Sequence, residues 1–294
     1  MGDTPPETAR RIPFDHVDGR IILPLRAGGS GEFGVILDMS VALGGVYLFH
    51  REAVGEIGVR DPEEVVLPNA GPGGAPSRGI LADSVDLFCG DVALPRATVV
   101  VSTGDATQKM EWDGLIGFAL FGSFAVEIDF DTRTILLHDP GTFAPDSAWA
   151  RVPLDLSGGV PLLEVSLSGA GEAGRPAAVS IDLADATPFT FLVRESQEGS
   201  SPPVASEIRA AIVGAERRGD LPVAAGRISR LGIGPFVLRD APMLFAKAEW
   251  RTSRTDVQGV LGSGALARFD AVFDYASGSL YLRPNGRFDE PFGP

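Results

Sequence analysis

The chain has 294 residues, a length that indicates two domains of ordinary size. Of these residues 44 % are hydrophobic and 22 % are charged, a composition typical of a globular protein. Its formal net charge of −14 at pH 7 argues against nucleic acid or an anionic membrane as partner, because both bind basic surfaces. The lone Cys89 excludes an intrachain disulfide, and the three dispersed histidines make a zinc site improbable.

The first half of the chain is predicted to be rich in strands and turns. The 37 Gly and 23 Pro lie between short apolar runs, a pattern that favours β structure with few helices. After a polar tail over residues 1–11, Arg20–Leu25 and Phe33–Asp38 are predicted to form a hairpin. His50–Gly58 could form a short helix. The turn-rich segment Leu67–Gly79 is either a mobile cover over a cleft or a plain surface loop.

The second half has a similar pattern. Pro161–Leu167 alternates polar and apolar residues as a strand does, and Ala177–Asp182 is predicted to return beside it. Ser206–Arg218 is predicted to be a helix, capped by its first residue and apolar along one face. Short helical turns are expected after Gly117 and Gly262.

Targeting signals are not evident. The uncharged stretch at residues 114–126 is too short to span a bilayer, and the N-terminus lacks the apolar core of a signal peptide. We therefore expect a soluble protein, either cytoplasmic or an exported mature form whose signal has been removed.

The second half of the chain repeats the first. Three segments recur in the same order, at offsets of 144, 145 and 145 residues: Val35–Asp38 as Val179–Asp182, Gly114–Gly117 as Gly259–Gly262, and Phe124–Phe130 as Phe269–Tyr275. The repeat predicts two equivalent lobes, over residues 12–143 and 151–294, joined by a linker at residues 144–150. Each lobe carries one aspartate at the end of an apolar run.

This duplicated order resembles that of the bilobal aspartic peptidases, in particular the bacterial retropepsin-like type rather than animal pepsins. The resemblance covers nearly the whole chain. It implies an all-β fold of two β-barrel-like lobes related by a pseudo-twofold axis, with few short helices and a substrate cleft between the lobes. Asp38 and Asp182 match the two catalytic aspartates, and Leu115–Gly117 and Val260–Gly262 match the strands beside the catalytic loops.

The chemistry of such a pair follows from electrostatics. Two carboxyls about 3 Å apart cannot both ionise, because the like charge raises the pKa of one of them. The pair then holds one proton and one water, which is enough for acid–base hydrolysis of a peptide bond. No metal and no cofactor is required.

Both catalytic loops depart from the Asp-Thr/Ser-Gly pattern of the family. Met39 and Leu183 stand where the family has hydroxyl side chains that bond to the opposite loop, and neither can donate such a bond. Ser40 and Ala184 stand at the glycine positions and retain the backbone N–H. The symmetry of the change suggests that Met39 and Leu183 pack against each other and replace the hydrogen-bonded lock with an apolar contact.

Other acidic and hydroxyl residues have structural interpretations. Asp129 and Asp274 are also duplicated, but both precede turns, so we interpret them as turn-forming residues. Asp113 has Gln258 as its counterpart, which excludes a paired catalytic role. Ser263 lacks the nucleophile elbow and a histidine partner of a serine hydrolase.

Two functions fit the sequence. One is an endopeptidase that cleaves a peptide or an unfolded protein through the Asp38–Asp182 pair. The other is a catalytically inactive relative that binds a peptide or protein partner in the cleft. A pair of ligand-binding barrels would leave the same sequence signature. Neither nucleic acid nor a membrane span is expected, and the oligomeric state is left open.

Overall fold

The computed structural model describes residues 10–39, 45–58, 62–67, 76–169, 171–194, 205–215, 219–248 and 254–293, with only the backbone described over 205–215 and 219–224. Ser40 and most of the predicted loop Leu67–Gly79 lie outside these residues.

The strands of the first half are β1 (Arg10–Pro13), β2 (Asp15–Val17), β3 (Arg20–Ala27), β4 (Phe33–Leu37), β5 (Val46–Leu48), β6 (Glu63–Leu67), β7 (Ser77–Cys89), β8 (Val92–Ser102), β9 (Gly114–Ile116), β10 (Ala125–Asp129) and β11 (Thr134–His138). Those of the second half are β12 (Ala150–Pro153), β13 (Leu162–Ser168), β14 (Arg175–Asp182), β15 (Phe189–Val193), β16 (Ala205–Ala215), β17 (Gly219–Ile233), β18 (Phe236–Lys247), β19 (Gly259–Gly262), β20 (Phe269–Asp274) and β21 (Ser279–Pro284). The described α-helices are α1 (Ala53–Glu56), α2 (Phe118–Phe121) and α3 (Ser263–Leu266), and Thr107–Lys109 forms a 3₁₀ turn.

Each half folds into a closed six-stranded barrel. In the first lobe the order is β3-β4-β9-β5-β8-β7, and β3 pairs with β7 to close the barrel. In the second lobe the order is β13-β14-β19-β15-β18-β17, closed by β13 and β17. β6 pairs with β7 in the first lobe, and β16 pairs with β17 in the second. Each therefore extends the sheet of its own lobe beyond the equivalent barrel strand. The predicted all-β architecture of two barrel-like lobes with few short helices is confirmed.

A third sheet joins the lobes, in the order β1-β11-β10-β20-β21-β12. At its centre β10 runs antiparallel to β20, and Glu127 pairs with Val272. These two residues are equivalent in the sequence repeat, since they are 145 positions apart. A pairing of equivalent residues across antiparallel strands is self-complementary. The pseudo-twofold axis therefore passes between Glu127 and Val272.

The predicted hairpins are present, because β3 pairs with β4 and β13 pairs with β14. A further hairpin joins β2 to β3 through Asp18 and Gly19, whose φ values are +49° and +76°. Positive φ at both central residues defines the type I′ turn, for which Asp-Gly is a preferred sequence.

The helix predictions are confirmed in part. α1 lies within His50–Gly58, and α2 and α3 begin directly after Gly117 and Gly262. The helix predicted over Ser206–Arg218 is wrong: Ala205–Ala215 is the strand β16, antiparallel to β17, and residues 216–218 lie outside the described part. The neighbouring strand β17 supplies pairing partners from Ile208 to Ala215, which overrides the helical periodicity of the segment.

β1 begins at Arg10 and β12 at Ala150, so structured residues reach into the predicted tail and linker. The limits of the lobes at residues 12–143 and 151–294 stay a prediction.

Candidate active site

The two aspartates occupy equivalent places in the two lobes. β4 runs parallel to β9, and the N–H of Asp38, directly after β4, donates to the carbonyl of Ile116 at 2.8 Å. β14 runs parallel to β19, where Asp182 pairs with Gly262. Each aspartate therefore lies beside the apolar-apolar-Gly strand of its own lobe, as the resemblance implies. Asp38 is 1 % exposed, and Asp182 is half-buried.

The loop after Asp182 holds its carboxylate with a backbone donor. The N–H of Ala184 donates to Asp182 Oδ1 at 2.9 Å, and the N–H of Asp185 donates to the Asp182 carbonyl at 3.2 Å. Ala184 thus retains a backbone N–H that bonds to the carboxylate two residues before it. Ser40, at the equivalent position of the other loop, lies outside the described residues.

Met39 and Leu183 both point into apolar surroundings. They are 3 % and 0 % exposed and belong to the same core cluster, which includes residues of both barrels and of the shared sheet. Both side chains are therefore buried, as an apolar contact between the two loops would require. A direct contact between the two side chains stays a prediction.

The Asp182 loop also packs against the first lobe. Ala184 contacts a group of side chains on that lobe, here named the N-lobe apolar cluster, whose buried members are Ile22, Ile36, Tyr47, Phe49, Val100, Met110 and Leu115. Ile36 precedes Asp38 by two residues on β4. The loop that carries one aspartate therefore contacts the sheet face next to the other.

Asp113 and Gln258 have one shared structural function that the sequence did not reveal. Asp113 Oδ2 accepts a hydrogen bond from the N–H of Gly34 at 2.7 Å, and Gln258 Oε1 accepts one from the N–H of Ala178 at 3.0 Å. Gly34 and Ala178 are equivalent in the repeat. Each side chain thus supports the strand that leads to its lobe's aspartate, whether it is charged or neutral.

The remaining candidates are structural. Asp129 Oδ1 accepts the N–H of Thr132 at 2.8 Å, which is the turn-forming role predicted for it. Asp274 is buried before the next turn, and its carbonyl accepts the hydroxyl of Ser277 at 3.3 Å. The buried Ser263 hydroxyl donates to the carbonyl of Gly19 in the other lobe.

Among the described residues, no group of three or more His, Cys, Asp or Glu side chains is arranged to hold a metal ion. Within the same part of the chain, no helix has both the length and the apolar character needed to cross a bilayer.

Comparison with known proteins supports the fold. No protein-family model and no curated protein sequence matches the chain. Among solved structures, the chain is similar to the aspartic proteinase from Irpex lacteus, with a TM-score of 0.59 and 11 % sequence identity. The match covers 96 % of this chain and 99 % of that one. The two proteins therefore share the bilobal aspartic proteinase fold, while the retropepsin-like subtype stays a prediction.

Proposed function

We propose that the protein is an aspartic endopeptidase in which Asp38 and Asp182 face each other across the pseudo-twofold axis. One observation carries the proposal: each aspartate lies at the C-terminal end of an equivalent strand, beside an equivalent apolar-apolar-Gly strand, in lobes that pair symmetrically. Two aspartates related by such an axis approach each other if both side chains point toward it. The fold shared with an aspartic proteinase supports the same assignment.

The proposed reaction needs only these two side chains and a water. The ionised carboxyl accepts a proton from the water as its oxygen attacks the peptide carbonyl carbon, and the protonated carboxyl donates its proton to the carbonyl oxygen. The carboxyl that took the proton from the water then donates it to the amide nitrogen as the C–N bond breaks, and one hydroxyl of the intermediate returns its proton to the other carboxylate, which restores the pair. An extended peptide would be held in the cleft by strand-like main-chain hydrogen bonds.

A second candidate is a catalytically inactive relative that binds a peptide or protein in the same cleft. The observation that favours it is the loss of both loop hydroxyls, since Met39 and Leu183 cannot donate hydrogen bonds between the loops. A shift of about 1 Å in a reacting group can cost on the order of 100-fold in rate.

Cleavage of an unfolded protein between pH 3 and pH 7 separates the two candidates. For the peptidase, Asp38→Asn and Asp182→Asn each lower kcat by about 10²- to 10⁴-fold, because each removes one partner of the acid–base pair. Asp129→Asn serves as the control, since that residue forms a turn. We expect it to keep wild-type activity.

Activity that survives both substitutions would reject the Asp38–Asp182 pair. A wild-type protein that cleaves nothing in this range, yet binds the unfolded substrate, would support the inactive relative instead. Circular dichroism of each variant verifies that it is folded.

A further inference from the structure

The turn between β2 and β3 in the first lobe reaches the Asp182 loop of the second. Gly19 at its tip lies so close to Ala186 that a Cβ on Gly19 would be 2.6 Å from the Ala186 Cβ. Only glycine fits this approach, and only glycine adopts the φ of +76° without strain. The turn is therefore shaped to contact the loop.

Arg20, the residue after this turn, bonds to the same loop. Its Nε donates to the carbonyl of Ala184 at 3.3 Å. Ala184 in turn donates its N–H to Asp182 Oδ1 at 2.9 Å. One side chain of the first lobe is thus two hydrogen bonds away from the carboxylate of the second.

Ser263 bonds to both the turn and the loop. Its hydroxyl donates to the carbonyl of Gly19, while its N–H donates to the carbonyl of Asp185 at 2.8 Å. The hydroxyl oxygen also lies 3.1 Å from the Asp185 carbonyl, but it has only one hydrogen, so it bonds one carbonyl at a time. The pseudo-twofold counterpart of Ser263 is Phe118, which is 44 % exposed and has no hydroxyl.

We propose that Arg20, Gly19 and Ser263 form an inter-lobe clasp that sets the position of the Asp182 loop against the first lobe. Met39 and Leu183 cannot supply hydrogen bonds between the catalytic loops, whereas the clasp bonds the Asp182 loop to the β2–β3 turn of the first lobe. Arg20 and Ser263 are positioning residues, since they act on Asp182 through the loop backbone. The consequence for catalysis rests on the proposed function, but the clasp itself does not.

Four variants of the full chain test the clasp. Arg20→Met removes the donor and keeps an unbranched side chain that extends as far as the position of the Arg20 Nε, whereas Arg20→Lys keeps a donor. Ser263→Ala removes the bond to Gly19. The matched control is Arg26→Met on the same strand, because Arg26 is exposed and bonds to the carbonyl of Gly90.

Amide hydrogen exchange over residues 182–187 reports the loop directly. Loss of one hydrogen bond is expected to speed this exchange about fivefold in Arg20→Met and in Ser263→Ala. Arg20→Lys restores most of the protection, and Arg26→Met leaves it unchanged. If the loop amides exchange at the wild-type rate in both Arg20→Met and Ser263→Ala, the clasp is overturned, whether or not the protein cleaves peptides.

Kinetics then test the effect on Asp182. We expect kcat to fall about tenfold in Arg20→Met with KM nearly unchanged, since the change displaces a reacting group and not the bound peptide. Faster loop exchange with wild-type kcat would overturn the positioning role. If the wild type itself cleaves nothing, the proposed peptidase function fails, and the exchange rates alone decide on the clasp.

Discussion

At the residue scale, Gly262 lies where β19 passes close to the loop that follows Asp182. A Cβ on this residue would overlap the carbonyl oxygens of Thr187 and Asp185. Backbone atoms cannot move aside as a flexible side chain can, so Gly262→Ala must displace the loop. We expect the free energy of unfolding to fall by about 1–3 kcal/mol. Urea unfolding at pH 7 measures this change.

Gly55→Ala is the matched control for this substitution. Gly55 lies in α1, and a Cβ there would meet no atom within 4 Å. Alanine has the higher helix propensity by about 1 kcal/mol, so this variant should be as stable as the wild type or more so. Equal destabilisation of both variants would contradict the proposed overlap at Gly262.

The repeat was enough to locate Asp38, Asp182 and Gly262, because each belongs to a segment present in both halves. It could not locate Arg20 and Ser263. Their hydrogen bonds span 164 and 244 residues of sequence and join different lobes. Such contacts leave no periodic or repeated pattern, and the counterpart of Ser263 differs from it in chemistry. Only the folded arrangement of the two lobes reveals them.

At the element scale, β16 shows where local pattern misleads. Ser206–Arg218 has apolar residues at helical spacing, together with a helix-capping serine and a terminal glycine. The same segment pairs residue by residue with β17 from Ile208 to Ala215. Sheet pairing is a non-local interaction, so the sequence of this segment by itself could not predict it. The strands of the duplicated hairpins were predictable because their alternation and turns are local.

β2 contains a histidine that should make the protein less stable in acid. Burial lowers the pKa of His16 from its ordinary value of 6.5, and the charge of Arg287 lowers it further. A hydrogen bond with the Gly19 backbone raises it, and Arg133 lowers it. Because the folded-state pKa is the lower one, the unfolded chain binds this proton first as the pH falls. The contribution of His16 to stability is therefore present above pH 6.5 and is lost as the pH falls through the folded-state pKa.

His16→Gln should reduce this acid dependence, because glutamine does not titrate. We expect the variant to lose less unfolding free energy than the wild type between pH 7.5 and pH 5. Urea titrations at both pH values measure the difference. Equal losses in the two proteins would show that His16 does not contribute to the acid sensitivity of the protein.

At the scale of the whole molecule, the duplication predicted both the number of lobes and their equivalence. It did not predict how strongly the lobes are joined. The shared sheet and a core cluster that includes residues of both barrels connect them. Aromatic packing adds to this connection: the Phe121 ring of the first lobe lies 5.5 Å from that of Phe273 and 5.7 Å from that of Tyr275, both in the second.

Because the lobes share a sheet and a core, we expect the wild type to unfold in one transition, with equal calorimetric and van't Hoff enthalpies. Phe121→Ala should lower the unfolding free energy by about 3–5 kcal/mol and separate the transitions of the two lobes. Phe245→Ala is the control, since its ring packs 6.1 Å from Phe191 within the second lobe and leaves the connection between the lobes intact. It should lower the midpoint of a single transition. Two transitions in the wild type would mean that the shared sheet does not couple the lobes.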